Sequence, residues 1–280
     1  MHAITPLHLR DTADANPPVI RQRLGRAVTQ WSVTKAEWIK LRSVRVNVVG
    51  VAAAAVGLML LGVLFSALAP TDMGPGGTAT DSVSLAFGGT SLSQLIIGVL
   101  AALFVGSEYA SGLIRTTFGA VARRTRVLRA KAIVFGGATG LAMMLGAFGA
   151  FFAGSAVYSG NLPSHSIGDP GVLRAVLSVG FYGACVALIG IAVGFLVRST
   201  ATAIGLLLGL LMLAPLLVDL VPGTVGETLS KIVPSNAGEA MMSVTSPGSL
   251  LSPMLGLAVL VAWVVGLLTL AAVALRRRDA

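Results

Sequence analysis

The sequence predicts an all-α integral membrane protein with six transmembrane helices and both termini on the cytoplasmic side. Three observations carry this. Hydrophobic residues make up 55% of the 280 and charged residues only 11%, far below the ~25% charge of a soluble domain, and mean hydropathy is +0.87. Asp, Glu, Lys and Arg are missing from 46–71, 82–107, 132–168, 175–197, 199–218 and 240–275. Each stretch can cross a ~30 Å hydrocarbon core as a helix of ~20 residues, and none alternates apolar with polar residues as a membrane β-barrel requires. The charges also sort by side. With six spans and both termini inside, only Arg174 and Lys231 of the 20 basic residues fall outside, as the positive-inside rule demands. That sorting accounts for the net charge of +9. No nucleic-acid partner is needed, because no basic face interleaved with aromatics occurs away from the membrane edges.

In chain order, 1–28 reads as a flexible cytoplasmic tail with Pro17-Pro18. Residues 29–46 read as an interfacial helix on the inner leaflet. Trp31, Lys35, Trp38 and Arg42 share one face there, and Trp with snorkelling Lys or Arg belongs at the headgroup layer. A six-span domain over 47–278 follows, with spans at about 47–69, 86–107, 132–158, 174–197, 201–220 and 252–275. Ala67-Leu68-Ala69 resembles a signal-peptidase site, but the apolar run is too long for a signal peptide and Pro70 follows. Spans 1 and 2 are joined outside by the Gly/Pro/Thr-rich link 70–84. Gly183, Ala187, Gly190 and Gly194 give span 4 a stripe of small residues, and Gly205 and Gly209 give span 5 another, so both spans offer faces for close helix packing. Arg198-Ser199-Thr200 makes a tight inner hairpin between them, and Pro215 predicts a kink in span 5.

The loop 108–131 between spans 2 and 3 holds six basic residues and one acid. Ile114, Phe118 and Val121 fall on one apolar face of a short helix, bracketed by Gly112 and Gly119, and Arg123, Arg126 and Arg129 follow at intervals of three. On the outer side, 222–250 is divided by Pro222, Pro234 and Pro247. Thr224 with Glu227, and Asn236 with Glu239, have the spacing of helix starts closed by capping boxes. Two short helices dipping into the bilayer satisfy their backbone only when packed on protein.

Much chemistry is excluded. No Lys follows Gly, so there is no phosphate-binding loop; HExxH, GxSxG and paired metal ligands are missing too. Cys185 is the only cysteine, so no disulfide forms within the chain. No ionisable residue lies near the middle of a span, which argues against proton or ion relays and intramembrane catalysis. The residues alone leave open a transport permease, a membrane scaffold or assembly protein, and an ion-coupled transporter.

AEWIKLRS at 36–43, SEYASGLIRTTF at 107–118, RRTRVLRAK at 123–131 and VPSNAGEAM at 233–241, in this order and topology, resemble the permease subunit of ABC-2-type (ATP-binding cassette) exporters, especially the actinobacterial kind. The resemblance covers about 30–278, with one departure: Ala122 stands where family loops often have Pro. It implies an exporter permease in the bacterial plasma membrane that is not itself an enzyme. ATP and magnesium are bound by a separate cytoplasmic ATPase subunit, and a second permease copy meets this one at spans 2 and 5. It also implies that a coupling helix near Gly112–Arg124 docks on the ATPase, using Gly112, Ile114, Arg115, Phe118, Val121, Arg123 and Arg124, with Glu108 at its hinge. The outer element, with Pro222, Glu227, Pro234, Asn236 and Glu239, is then an extracellular gate.

Overall fold

The computed structural model describes residues 29–68, 81–121, 123–158, 164–244 and 251–277. The tail 1–28, most of the 70–84 link, Ala122, Pro247 and Arg278 lie outside them. Among the described residues there is no strand, and six helices are long and apolar enough to cross a membrane.

Helix α1 (Gln30–Ser43) starts at an N-cap, where the Thr29 side chain accepts from the Ser32 N–H, and buries Val33, Glu37 and Leu41 on one face. Val44 breaks it from α2 (Arg45–Ala67), which is span 1. Span 2 has two pieces. Asp81 caps the short α3 (Ser82–Ala86) at its Ser84 N–H, 2.7 Å away, and α4 (Thr90–Ala110) follows. Helix α5 (Leu113–Ala120) is the isolated piece between spans 2 and 3. Span 3 runs through α6 (Arg124–Lys131), a π-turn (Ala132–Gly136) and α7 (Gly137–Val157). The second half of the expected loop is therefore the end of span 3. At ~1.5 Å per residue its 34 residues reach about 51 Å, more than the ~30 Å core requires, which leaves room for the arginine-rich α6 outside the hydrocarbon.

Span 4 is α8 (Val172–Val197), the central helix, touching spans 2, 3, 5 and 6. Its small residues face neighbours closely: a Cβ at Gly190 would sit 2.5 Å from that of Ala101 in span 2. Arg198, in the left-handed region at φ 60°, and Ser199, which caps the next helix, make the turn into span 5. Span 5 comprises α9 (Thr200–Leu208), a second π-turn (Gly209–Leu213) and α10 (Ala214–Asp219). Pro215 has no N–H to give the carbonyl four residues earlier. That carbonyl, on Leu211, instead accepts from the Ser235 hydroxyl at 2.8 Å. Gly205 and Gly209, expected to receive a neighbouring helix, meet nothing within 4 Å; that face of span 5 is open in a single copy.

The segment between spans 5 and 6 forms α11 (Gly223–Ile232) and α12 (Pro234–Met242), and span 6 is α13 (Pro253–Arg277). Neither expected capping box forms. Pro222 and Val233 occupy the N-cap positions without side-chain bonds, because the first helix begins two residues earlier than a Thr224 cap allows and the second three earlier than an Asn236 cap allows. Pro234 at the first position of α12 needs no N–H partner there. The Asn236 amide reaches back to α11, donating to the Ser230 carbonyl at 3.1 Å and hydroxyl at 2.7 Å. Helix α12 buries Pro234, Ala237, Gly238, Ala240 and Met241 against spans 4 and 6, whereas α11 buries only Gly226.

Candidate functional site

The site lies at the end of the bundle that bears the basic residues. Gly112 makes it possible. Its φ of +73° lets the chain leave span 2 and turn straight into α5, a backbone state that costs an L-residue ~1–2 kcal/mol. Gly112→Ala meets no steric obstacle, so a loss of about that size in unfolding titrations is expected from backbone strain alone.

Helix α5 is anchored by the three apolar residues its spacing singles out. Ile114 is buried in the main core, Val121 in a small satellite core with Val33, Val127 and Ala130, and Phe118 packs against both. The Arg124 guanidinium lies 5.3 Å from the centre of the Phe118 ring, a cation–π contact. Arg115 and Arg123 are exposed. Thus α5 has one face set in the bundle and another, carrying Leu113, Arg115 and Thr116, open to solvent.

Beneath it four charges close a ring. Glu37 of α1 takes Lys40 on Oε1 at 2.8 Å and Lys131 on Oε2 at 2.8 Å. Glu108, at the end of span 2, takes both lysines on Oε1, each at 2.9 Å. The Lys131 side chain is fully buried, with its Nζ 4.2 Å from the centre of the Phe104 ring; that of Lys40 is 33% exposed. Glu108 Oε2 is buried and has no hydrogen-bond partner among the described residues. Two positive and two negative charges cancel, so the ring carries no net charge into a poorly solvated place. Desolvation pulls the Lys40 ammonium down, but its bonds to Glu37 and Glu108 outweigh this and raise its pKa. A raised lysine stabilises the fold fully below its ordinary 10.5 and loses that contribution as pH climbs past its raised folded value, so the Lys40 contribution is fully present at neutral pH. The Gln30 amide donates to the Arg126 carbonyl at 3.1 Å, tying α1 to α6 beside it.

Glu108 is thus brought to the site with α5. Trp31, Lys35, Trp38 and Arg42 are not: all four are exposed on the opposite face of α1, where a membrane surface can receive them. The sequence reading missed Glu37 and the pairing of Lys40 and Lys131. A signal was present, since Glu37 is the only acid in 29–46 and shares a face with Val33 and Leu41. An acid on an apolar stripe requires a buried partner.

At the other end of the molecule, Arg174 of span 4 donates to the carbonyls of Met241 at 2.6 Å and Ser243 at 2.8 Å. The Trp263 indole of span 6 donates to the Ile232 carbonyl at 2.9 Å. Tyr182 hydrogen-bonds Gln94 and lies under Gly238, where a Cβ would come 2.4 Å from the ring. The short α12 is therefore held by spans 4, 5 and 6, and the end of α11 is tied to span 6. Pro222, Glu227 and Glu239 are exposed, Pro234 is buried and Asn236 is half-buried.

Residues 33–214 match the family described as "ABC-2 family transporter protein". The match is well over half the chain. It takes in most of α1, the charge ring, α5 and the first four spans, and ends within span 5, before the outer element. No curated protein matches the chain.

Proposed function

The chain belongs to the ABC-2 transporter family, and from that premise we propose how this ABC transporter permease works. It is the six-span subunit of an exporter in a bacterial plasma membrane, with both termini and α5 in the cytoplasm. Helix α5 receives a separate ATPase subunit, which holds the ATP and magnesium. The supporting observation is the pairing of α5 with the ring. A push on the exposed Arg115 and Arg123 face is passed by Ile114 and Phe118 into the bundle. Glu108 and Lys131 carry it to spans 2 and 3, and Glu37 and Lys40 to α1. Motion of span 2 reaches span 5, which packs on it. The open Gly205/Gly209 face of span 5 supports a second permease copy there, with the transport path between the copies and α11–α12 as its outer gate.

Co-expression with a soluble ABC ATPase, sought in the reading frames that neighbour this one, tests the reading. The ATPase is expected to co-purify with the wild type and to be lost with Arg115→Glu/Arg123→Glu. Phe118→Ala is expected to keep membrane insertion and lower ATP-driven transport by about tenfold or more, as misplacement of a mechanical part does. Transport driven by an ion gradient without ATP overturns the proposal, and so does full coupling in both variants.

A further inference from the structure

A groove runs between the start of span 3 and the end of span 6, away from α5 and the charge ring. It is lined by Thr125 and Arg129 of α6 and by Arg276 of the last turn of α13, with Thr269 about two turns further into that helix. Its floor is apolar: Leu128 and Ala132 on one side, Val265, Leu268 and Ala272 on the other. Both arginines are exposed, and neither is ion-paired with an acid among the described residues.

The length of the groove identifies its occupant. From Arg276 back to Val265 is eleven residues of one continuous helix, or about 16 Å at ~1.5 Å per residue. One leaflet of a ~30 Å hydrocarbon core is about 15 Å deep. Arg276 is at the helix end, where headgroups lie, and Val265 is near the middle of the span. The groove therefore offers two guanidinium groups to a phosphate at the membrane surface and an apolar wall of one leaflet's depth below it. Basic pockets between helix ends of this kind suit anionic headgroups, and a guanidinium fork matches phosphate oxygens. We propose that this groove is a binding site for one anionic phospholipid, in the leaflet on the side of the 108–131 segment. Bound there, the lipid ties the projecting end of span 3 to span 6, two elements that also touch directly at α6 and α13.

Purified full-length protein, washed of native lipid, provides the test. Spin-labelled phosphatidylglycerol and phosphatidylcholine with identical acyl chains are compared for retention in mixed vesicles. Two arginines at a surface are expected to give phosphatidylglycerol a roughly 10- to 30-fold preference. Arg129→Gln/Arg276→Gln is expected to bring the two lipids near parity. Ala272→Phe, which keeps both arginines and fills the floor, is expected to lower phosphatidylglycerol retention as well, and it serves as the second variant if the first is unstable. Arg45→Gln, a juxtamembrane charge outside the groove, is expected to leave the preference in place. An equal loss in Arg45→Gln makes the effect one of net charge and overturns the site. Displacement of the lipid by millimolar inorganic phosphate assigns the arginines to a free anion and overturns it too. So does efficient disulfide trapping of Thr269→Cys between two copies, because the groove is then a protein interface.

Discussion

Lys131→Met is expected to destabilise the protein by about 3–5 kcal/mol, the usual cost of removing one member of a buried ion pair. Methionine fills the same space, so packing is not what is lost. The variant leaves Glu37 and Glu108, both buried, to share the half-exposed Lys40. It also removes the cation above the Phe104 ring. Unfolding by SDS titration in lipid-like micelles, or the melting temperature where unfolding is irreversible, gives the measurement. The sharper comparison is Glu37→Gln/Lys131→Met. That variant loses one positive and one negative charge and keeps the Lys40–Glu108 pair at 2.9 Å, so more than half of the lost stability is expected to return. If single and double variants unfold alike, the four groups do not act as one unit.

Arg174→Ala is expected to undock α12. Two charge-assisted bonds are lost, at ~1.5–3 kcal/mol each, and two carbonyls at the end of a short helix are left without them. The bonds from Ser235 to Leu211 and from Trp263 to Ile232 remain, so the helix is expected to loosen at its C-terminal end first. Ala240, fully buried, reports this. A cysteine at 240 is expected to react slowly with a membrane-impermeant maleimide in the parent and many-fold faster with Arg174→Ala. Cys185 is itself buried and adds little background. An unchanged labelling rate means that α12 is held by packing against Tyr182 and Gly256 rather than by Arg174.

The spans and the apolar face of α5 were legible because each depends on local spacing. A run of some twenty residues without charge has few fates, and Ile114, Phe118 and Val121 mark a helix face wherever the helix goes. The charge ring was not legible. Lys40 meets Glu108 across 68 residues and Lys131 meets Glu37 across 94, and no periodicity relates such positions. Lys131 looked like one more cation of a basic loop; what sets it apart is that span 3 begins at Arg124 and carries it inward. The outer element failed differently. Thr224 and Asn236 have the composition of caps, but Pro222 and Pro234 start their helices earlier and free Asn236 for a bond to Ser230. Pro215 marks a missing backbone hydrogen bond in span 5, yet the donor that satisfies Leu211 comes from Ser235, which only the fold brings near.

In chain order Glu37 and Lys40 come first, an ion pair three residues apart within α1. Glu108 arrives at the end of span 2 and adds a second negative charge to one lysine. Until the first turns of span 3 follow, this corner of the growing chain holds one more acid than it can pair. Lys131 supplies the missing cation, and it can do so only when the start of span 3 lies beside both α1 and the end of span 2. The ring thus makes three segments distant in sequence depend on one another: with any one of them out of place, a buried carboxylate loses a cation.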